Sequence, residues 1–116
     1  MTSAIYNLPI PPSVNQMFPL NINTGGRGIS KQYETWRTDA GWELKQQKAR
    51  PICGPVEIHI VIREPSRRSD IDNRIKPLLD LLVKHGIIDG DHDKTVRKVS
   101  AAWGDVERAQ VEIRSV

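Results

Sequence analysis

The chain contains one cysteine, Cys53. A lone thiol excludes an internal disulfide and a cysteine zinc cluster, and it points to a reducing, cytoplasmic setting. No apolar run approaches the roughly 20 residues of a membrane span. The first residues, M-T-S-A-I-Y-N-L-P-I, lack a charged n-region and a long apolar h-region, so no signal peptide is expected. A Walker loop, a nucleophile elbow and zinc-type ligand pairs are all missing. His59 and His85 have no partner at metal-ligand spacing.

At 116 residues the length fits a single small domain, 1–116. Apolar residues make up 38% and charged residues 27%, a globular composition somewhat lean in core material. A domain of this size buries a modest share of its surface, so dimerisation is an available source of stability. The net charge is +3, yet six of the 14 acids (Asp70, Asp72, Asp80, Asp89, Asp91 and Asp93) fall between residues 70 and 93. Without those six the formal charge is +9. An acid-dense segment in a basic chain is what a metal-dependent enzyme acting on nucleic acid needs, although a solubilising charge excess is the commoner reason for a sequence pI near 9.2.

The pattern predicts β-α-β-α-β-β. Residues 4–10 read as a strand ended by Pro11 and Pro12, which lack ladder donors. Gly25, Gly26 and Gly28 mark a loop carrying Arg27. Ser30 is a good N-cap, and Tyr33, Trp36, Ala40 and Leu44 follow at helical spacing up to the break before Pro51. Trp36 belongs to that core stripe; Trp42 lies off it and suits a dimer interface. Val56, Ile58, Ile60 and Ile62 give the clearest strand, over 56–63. Ile71, Ile75, Leu78, Leu79 and Leu82 predict a helix over 70–84, stopped by Gly86. Residues 95–103 and 106–114 read as a hairpin turned at Gly104-Asp105. The expected architecture is α+β, a mixed sheet covered on one face by two helices.

The stretch R-R-S-D-I-D-N-R-I-K-P-L-L begins at Arg67. Asp70 is a natural N-cap, and Asp72 gains from the helix dipole and from an i, i+4 pair with Lys76. Those roles alone explain a D-x-D at a helix start. Asn73 and Lys76 nevertheless share a flank with Asp72, away from the leucine stripe, where an amide and an ammonium suit a phosphate beside a metal. Pro77 leaves the carbonyl of Asn73 without its helical donor. Arg67, Arg68 and Arg74 surround the acids with guanidinium forks suited to phosphate. Arg27 and Lys31 are further candidates for DNA contact.

A second cluster, D-G-D-H-D-K-T-V, starts at Asp89. Its beginning has calcium-loop spacing, but Lys94 stands where the turn glycine belongs and Ser100 where the bidentate glutamate belongs, so EF-hand binding is rejected. The segment alone reads as a solvated turn in which His92 has no clear ligand role. With the first cluster it suggests more. Mg²⁺ takes hard oxygen ligands and keeps water and phosphate in its shell. Two acids at a helix start and a third on the following loop supply such oxygens, for activation of water against a phosphodiester, with Lys76 adding positive charge at the transition state.

D-I-D-N-R-I-K-P-L-L-D-L-L, then G-I-I and an acidic turn ending D-K-T-V, resembles the RusA-type Holliday-junction resolvases, as does the N-terminal L-P-I-P-P-S-V-N. The resemblance implies a homodimeric, Mg²⁺-dependent endonuclease that resolves four-way DNA junctions by paired incisions in recombination and repair. It implies no small-molecule cofactor or membrane partner, and such enzymes are often encoded by prophages. By the same resemblance Asp70 and Asp72 match the first two catalytic acids, Lys76 the catalytic lysine and Asn73 the motif asparagine. The third acid is Asp93, counted back from Val96, with Asp91 as competitor; His92 stands where the family usually has another aspartate. The alternative is a basic junction-binding module without cleavage. Both bind DNA in a salt-sensitive way, but only the nuclease needs the carboxylates.

Overall fold

The structure is a computed structural model describing residues 2–13, 30–66 and 68–116. Six elements follow in the expected order: β1 (Ser3–Leu8), α1 (Lys31–Gln46), β2 (Val56–Arg63), α2 (Asp72–Lys84), β3 (Val96–Gly104) and β4 (Ala109–Ser115). The Arg27 and Arg67 expectations lie outside the described residues.

Both helices and the sheet bury the sides that the periodicity marks. Val56, Ile58, Ile60 and Ile62 of β2 are buried, as are Ala109, Val111 and Ile113 of β4. Tyr33, Trp36, Ala40 and Leu44 cover them from α1, with Leu78, Leu81 and Leu82 from α2. Residues alternating with these on the strands are less buried, as a sheet covered on one face requires. Trp36 also donates its indole N–H to the carbonyl of Pro9 at 3.0 Å, which satisfies its one polar atom. Trp42 is 64% exposed.

The helix ends follow local chemistry. Ser30 Oγ accepts the amide of Tyr33 at 3.0 Å, the expected N-cap of α1. At the far end Gln47 bonds both the amide and the carbonyl of Asn7, each at 2.8 Å, fastening α1 to β1. Gly86 takes a φ of +68° and ends α2 where only glycine is unstrained.

Two expectations are corrected. The predicted hairpin of the last two strands does not form. The sheet order is β1-β4-β2-β3, with β4 antiparallel to both β1 and β2 and β3 parallel to β2. β4 is thus inserted between β1 and β2. The alternating burial of β4 explains its central place, whereas β3 has no fully buried residue and takes the edge. Four residues join the two strands, enough to cross the end of β2 at about 3.3 Å each. An Arg63 amide bond to the carbonyl of Arg108 at 2.8 Å pins that crossing.

Nor does Asp70 cap α2. The helix begins at Asp72, the preceding Ile71 is already helical at φ −65° and ψ −34°, and no side chain caps the end. The turn is closed instead by the backbone carbonyl of Asp70, which accepts the amide of Asn73 at 3.3 Å.

Candidate active site

The two acids of the D-x-D element sit at the entrance to α2, beyond the C-terminal end of β2. Asp70 and Asp72 are both exposed, and among the described residues no cation is paired with either. Ser13, Arg68, Ser69, Asp70, Asn73 and Arg74 line a cavity of about 390 Å³ there. Asp70 at this polar hollow and Asp72 two residues on offer hard oxygen donors of the kind that fit a magnesium ion.

Arg74, a candidate for phosphate contact, is also engaged within the fold. Its guanidinium donates to the carbonyl of Pro11 at 2.5 Å and to Ser69 Oγ at 3.2 and 3.3 Å. It ties the proline-rich segment to the start of α2, and burial pushes its pKa down. Arg68 is exposed and Asn73 half-buried; both remain beside the acids. Lys31 lies at a neighbouring cavity of about 560 Å³ shared with Pro11, Pro12 and Arg74.

The expected pair of Asp72 with Lys76 is replaced by one with Asp80. Lys76 Nζ lies 3.4 Å from Asp80 Oδ2, one turn further along the helix. An aspartate four residues C-terminal competes directly with one four residues N-terminal, and here the former holds the ammonium.

The second acidic segment lies elsewhere in the chain. β2 and β3 run parallel, with Val56 opposite Val96, so the loop before β3 belongs to the end of the sheet where β2 starts. The amide of Val56 donates to the carbonyl of Thr95 at 2.7 Å, and that of Gly54 to Asp89 Oδ2 at 2.8 Å. Asp70 and Asp72 follow the other end of β2. The 13 residues of α2 separate the clusters by about 20 Å at 1.5 Å per residue. Among the described residues no group of three His, Cys, Asp or Glu side chains could hold one metal ion. One chain therefore groups Arg68, Asp70 and Asn73 at one cavity, with Asp72 beside them in sequence at the first residue of α2, but not Asp93 or Asp91.

Within the loop Asp91 and Asp93 are exposed. His92 works on the turn itself. Its carbonyl accepts the amides of Thr95 at 3.0 Å and Val96 at 2.9 Å, and its Nε2 lies 3.3 Å from Thr95 Oγ1. The ring also packs so close to Gly90 that a Cβ there would lie 2.9 Å from it.

A basic cleft went unnoticed in the sequence. Arg37, Lys45, Lys84 and His85 line a cavity of about 440 Å³ with Glu34 and Trp42, between α1 and the end of α2. Burial, then Lys45 and Lys84, hold the His85 pKa below its usual value. Arg37, Gly41 and Lys45 recur at i, i+4 on α1; that spacing was the available signal, but the α2 half joins it only in the fold.

The family model described as "Endodeoxyribonuclease RusA" matches residues 9–114. The chain is also similar to "Crossover junction endodeoxyribonuclease RusA" of Aquifex aeolicus (strain VF5), at 35% identity over 88 residues, covering 73% of this chain and 67% of the relative.

Proposed function

The chain belongs to the RusA endodeoxyribonuclease family, and from that premise we propose that it is a magnesium-dependent, structure-selective endonuclease. It resolves four-way DNA junctions by paired, symmetric hydrolysis of phosphodiesters in recombination and repair, as a homodimer in the cytoplasm. The observation that carries this reading is the exposed pair Asp70 and Asp72 at the start of α2, unpaired with any described cation. Carboxylates bonded only to neighbouring cations would serve structure; these are open to a metal and to solvent.

In this proposal Asp70 and Asp72 hold the metal, with Asp93 as the third acid and Asp91 as its competitor. Bound there, magnesium supplies an activated water and stabilises charge on the phosphoryl oxygens. Asn73 orients the phosphate by its amide, and Arg68 and Lys31 contact the DNA backbone, a largely sequence-independent source of affinity. Lys76 adds positive charge to the transition state after leaving Asp80. No helix among the described residues is long and apolar enough to cross a membrane.

The separation of the acid clusters within one chain favours, as a second reading, a junction-binding module without cleavage. One experiment separates the two: a labelled four-way junction is incubated with Mg²⁺ and either the wild type or Asp72→Asn. Paired nicks from the wild type alone, with binding retained by the variant, support the nuclease. Tight binding with no nicks from either protein supports the module.

A further inference from the structure

We propose that the basic cleft between α1 and the end of α2 is a second phosphodiester-binding subsite, which holds the backbone of a junction arm away from the cut. The inference rests on the nuclease reading and deepens it, because it adds a DNA contact that neither acid cluster supplies. Arg37, Lys45, Lys84 and His85 converge on this cavity of about 440 Å³, with Glu34 as the one acid among the described lining residues. Lys84 and Asp72 are the last and first residues of α2, so the cleft stands about 20 Å from the D-x-D element. Successive phosphates of one strand are about 3.4 Å apart along a duplex. A strand that follows α2 from Asp72 therefore presents to the cleft a phosphate about six nucleotides from the one being cut.

The cations of the cleft are oriented without being neutralised. Among the described residues none of Arg37, Lys45 and Lys84 is ion-paired with a carboxylate. Aromatic rings hold two of them. The guanidinium carbon of Arg37 lies 4.8 Å from the centre of the Tyr33 ring, and the Lys45 ammonium 5.8 Å from that of Trp42. A ring face positions a cation and leaves its charge in place. Arg37 is half-buried, and its Nε–H is shielded from solvent with no hydrogen-bond acceptor. Buried donors are nearly always satisfied in a finished fold. A phosphate that meets the Nε edge of the guanidinium supplies the acceptor, in the two-pronged geometry that arginine offers.

The floor of the cleft depends on a glycine. Gly41 lies inside α1, where alanine would favour the helix more. Its missing Cβ makes room for the His85 imidazole, since a Cβ there would lie 2.8 Å from Nε2. The ring is thus laid against α1. The charged groups about it are Glu34, Arg37 and Lys45 of α1 and Lys84 of α2. Burial, then Lys45 and Lys84, hold its pKa below the usual value, so without an anion the ring is neutral at about pH 7. A phosphate reverses the balance. It draws a proton onto His85 and gives the cleft a fourth cation.

The test compares the wild type with Lys45→Gln/Lys84→Gln and with a charge-matched control outside the cleft, Lys48→Gln/Arg50→Gln. All four residues are exposed, so the variants should fold. Binding to a four-way junction is measured without Mg²⁺ across a range of salt, and nicking with Mg²⁺ at saturating protein. The logarithmic salt slope should fall by about two in the cleft variant and by clearly less in the control, with saturated nicking within about twofold of the wild type. Uncharged methylphosphonates placed about six nucleotides from the cut, on either side, should weaken wild-type binding about tenfold and leave the cleft variant unaffected. The junction should also move the His85 imidazole resonance toward its protonated position. An unchanged slope, an equal fall in the control, or methylphosphonates that weaken both proteins alike overturn the proposal and leave the nuclease reading in place. So does a cleft variant that nicks far more slowly at saturation, because the cleft would then belong to the cut. Inorganic phosphate that moves the His85 resonance as far as the junction does, with DNA binding untouched in the variant, makes the cleft a free-anion site and overturns it as well. Should the slope and the methylphosphonate coupling hold while even the wild type fails to nick, the nuclease reading falls and the arm contact stands.

Discussion

Lys76 reaches Asp80 rather than Asp72, its ammonium 3.4 Å from the Asp80 carboxylate. Lys76 is exposed and Asp80 half-buried, so the pair contributes about 0.5 kcal/mol or less and releases easily to a phosphate. Asp80→Asn is therefore expected to change the urea midpoint little and to keep junction nicking within about threefold of wild type. Lys76→Ala should lower single-turnover nicking about a hundredfold with junction binding retained. A comparable loss in Asp80→Asn would mean that the ion pair itself, rather than a freed lysine, belongs to the working site.

Arg74 is expected to matter for stability more than for DNA. Its substitution by alanine leaves the Pro11 carbonyl without its donor and separates the proline-rich segment from Ser69, a loss of about 1–3 kcal/mol. Urea melts should show it, and Arg74→Lys should recover little because an ammonium cannot span both acceptors. The dependence of junction binding on salt should keep its slope. A slope reduced by about one would instead assign Arg74 to a phosphate.

How far the sequence speaks depends on the range of the interaction. The stripes of Tyr33, Trp36, Ala40 and Leu44 and of Val56 to Ile62 are set by local periodicity, and they bury as read. The Ser30 cap and the Gly86 stop need only neighbouring residues, and both occur. Strand partners are another matter. Gly104-Asp105 has the composition of a hairpin turn, yet β4 prefers the two neighbours that cover both its edges, a choice made by residues far away in sequence. The candidate site divides in the same way. Asp70, Asp72 and Asn73 are legible because they are adjacent, whereas the distance from them to Asp93 depends on which way β3 runs beside β2. Lys76 had two acids in i, i+4 reach, and spacing alone did not choose between them.

Glu43 and Arg108 make acid sensitivity predictable. The carboxylate accepts a two-pronged bond from the guanidinium, one prong at 2.8 Å, and that bond holds the Glu43 pKa below its usual 4.5. A depressed acid pKa means that the folded state binds fewer protons than the unfolded one. Its stabilisation is present above pH 4.5 and disappears as pH falls through the lower folded value. Because both groups are partly exposed, the contribution should stay below about 1 kcal/mol. Glu43→Gln should lower the melting temperature at pH 7 and have little effect at the acid end of the window, in paired thermal melts.

Gly104 ends β3 against Val61, and the pair tests the observed strand order directly. A Cβ at position 104 would lie 2.6 Å from Val61 Cγ1. Valine is branched at Cβ and has little rotamer freedom with which to retreat. Gly104→Ala is therefore expected to destabilise the chain by about 1–3 kcal/mol through overpacking. Val61→Ala removes the obstructing methyl, so Gly104→Ala made in that background should cost about 1 kcal/mol less. Such coupling requires β3 beside β2, since a β3–β4 hairpin would set residue 104 against the start of β4 and away from Val61. Urea melts of the wild type, both single variants and the double variant measure it. Additive effects would remove the contact between Val61 and Gly104, and with it the parallel pairing that separates Asp93 from Asp72.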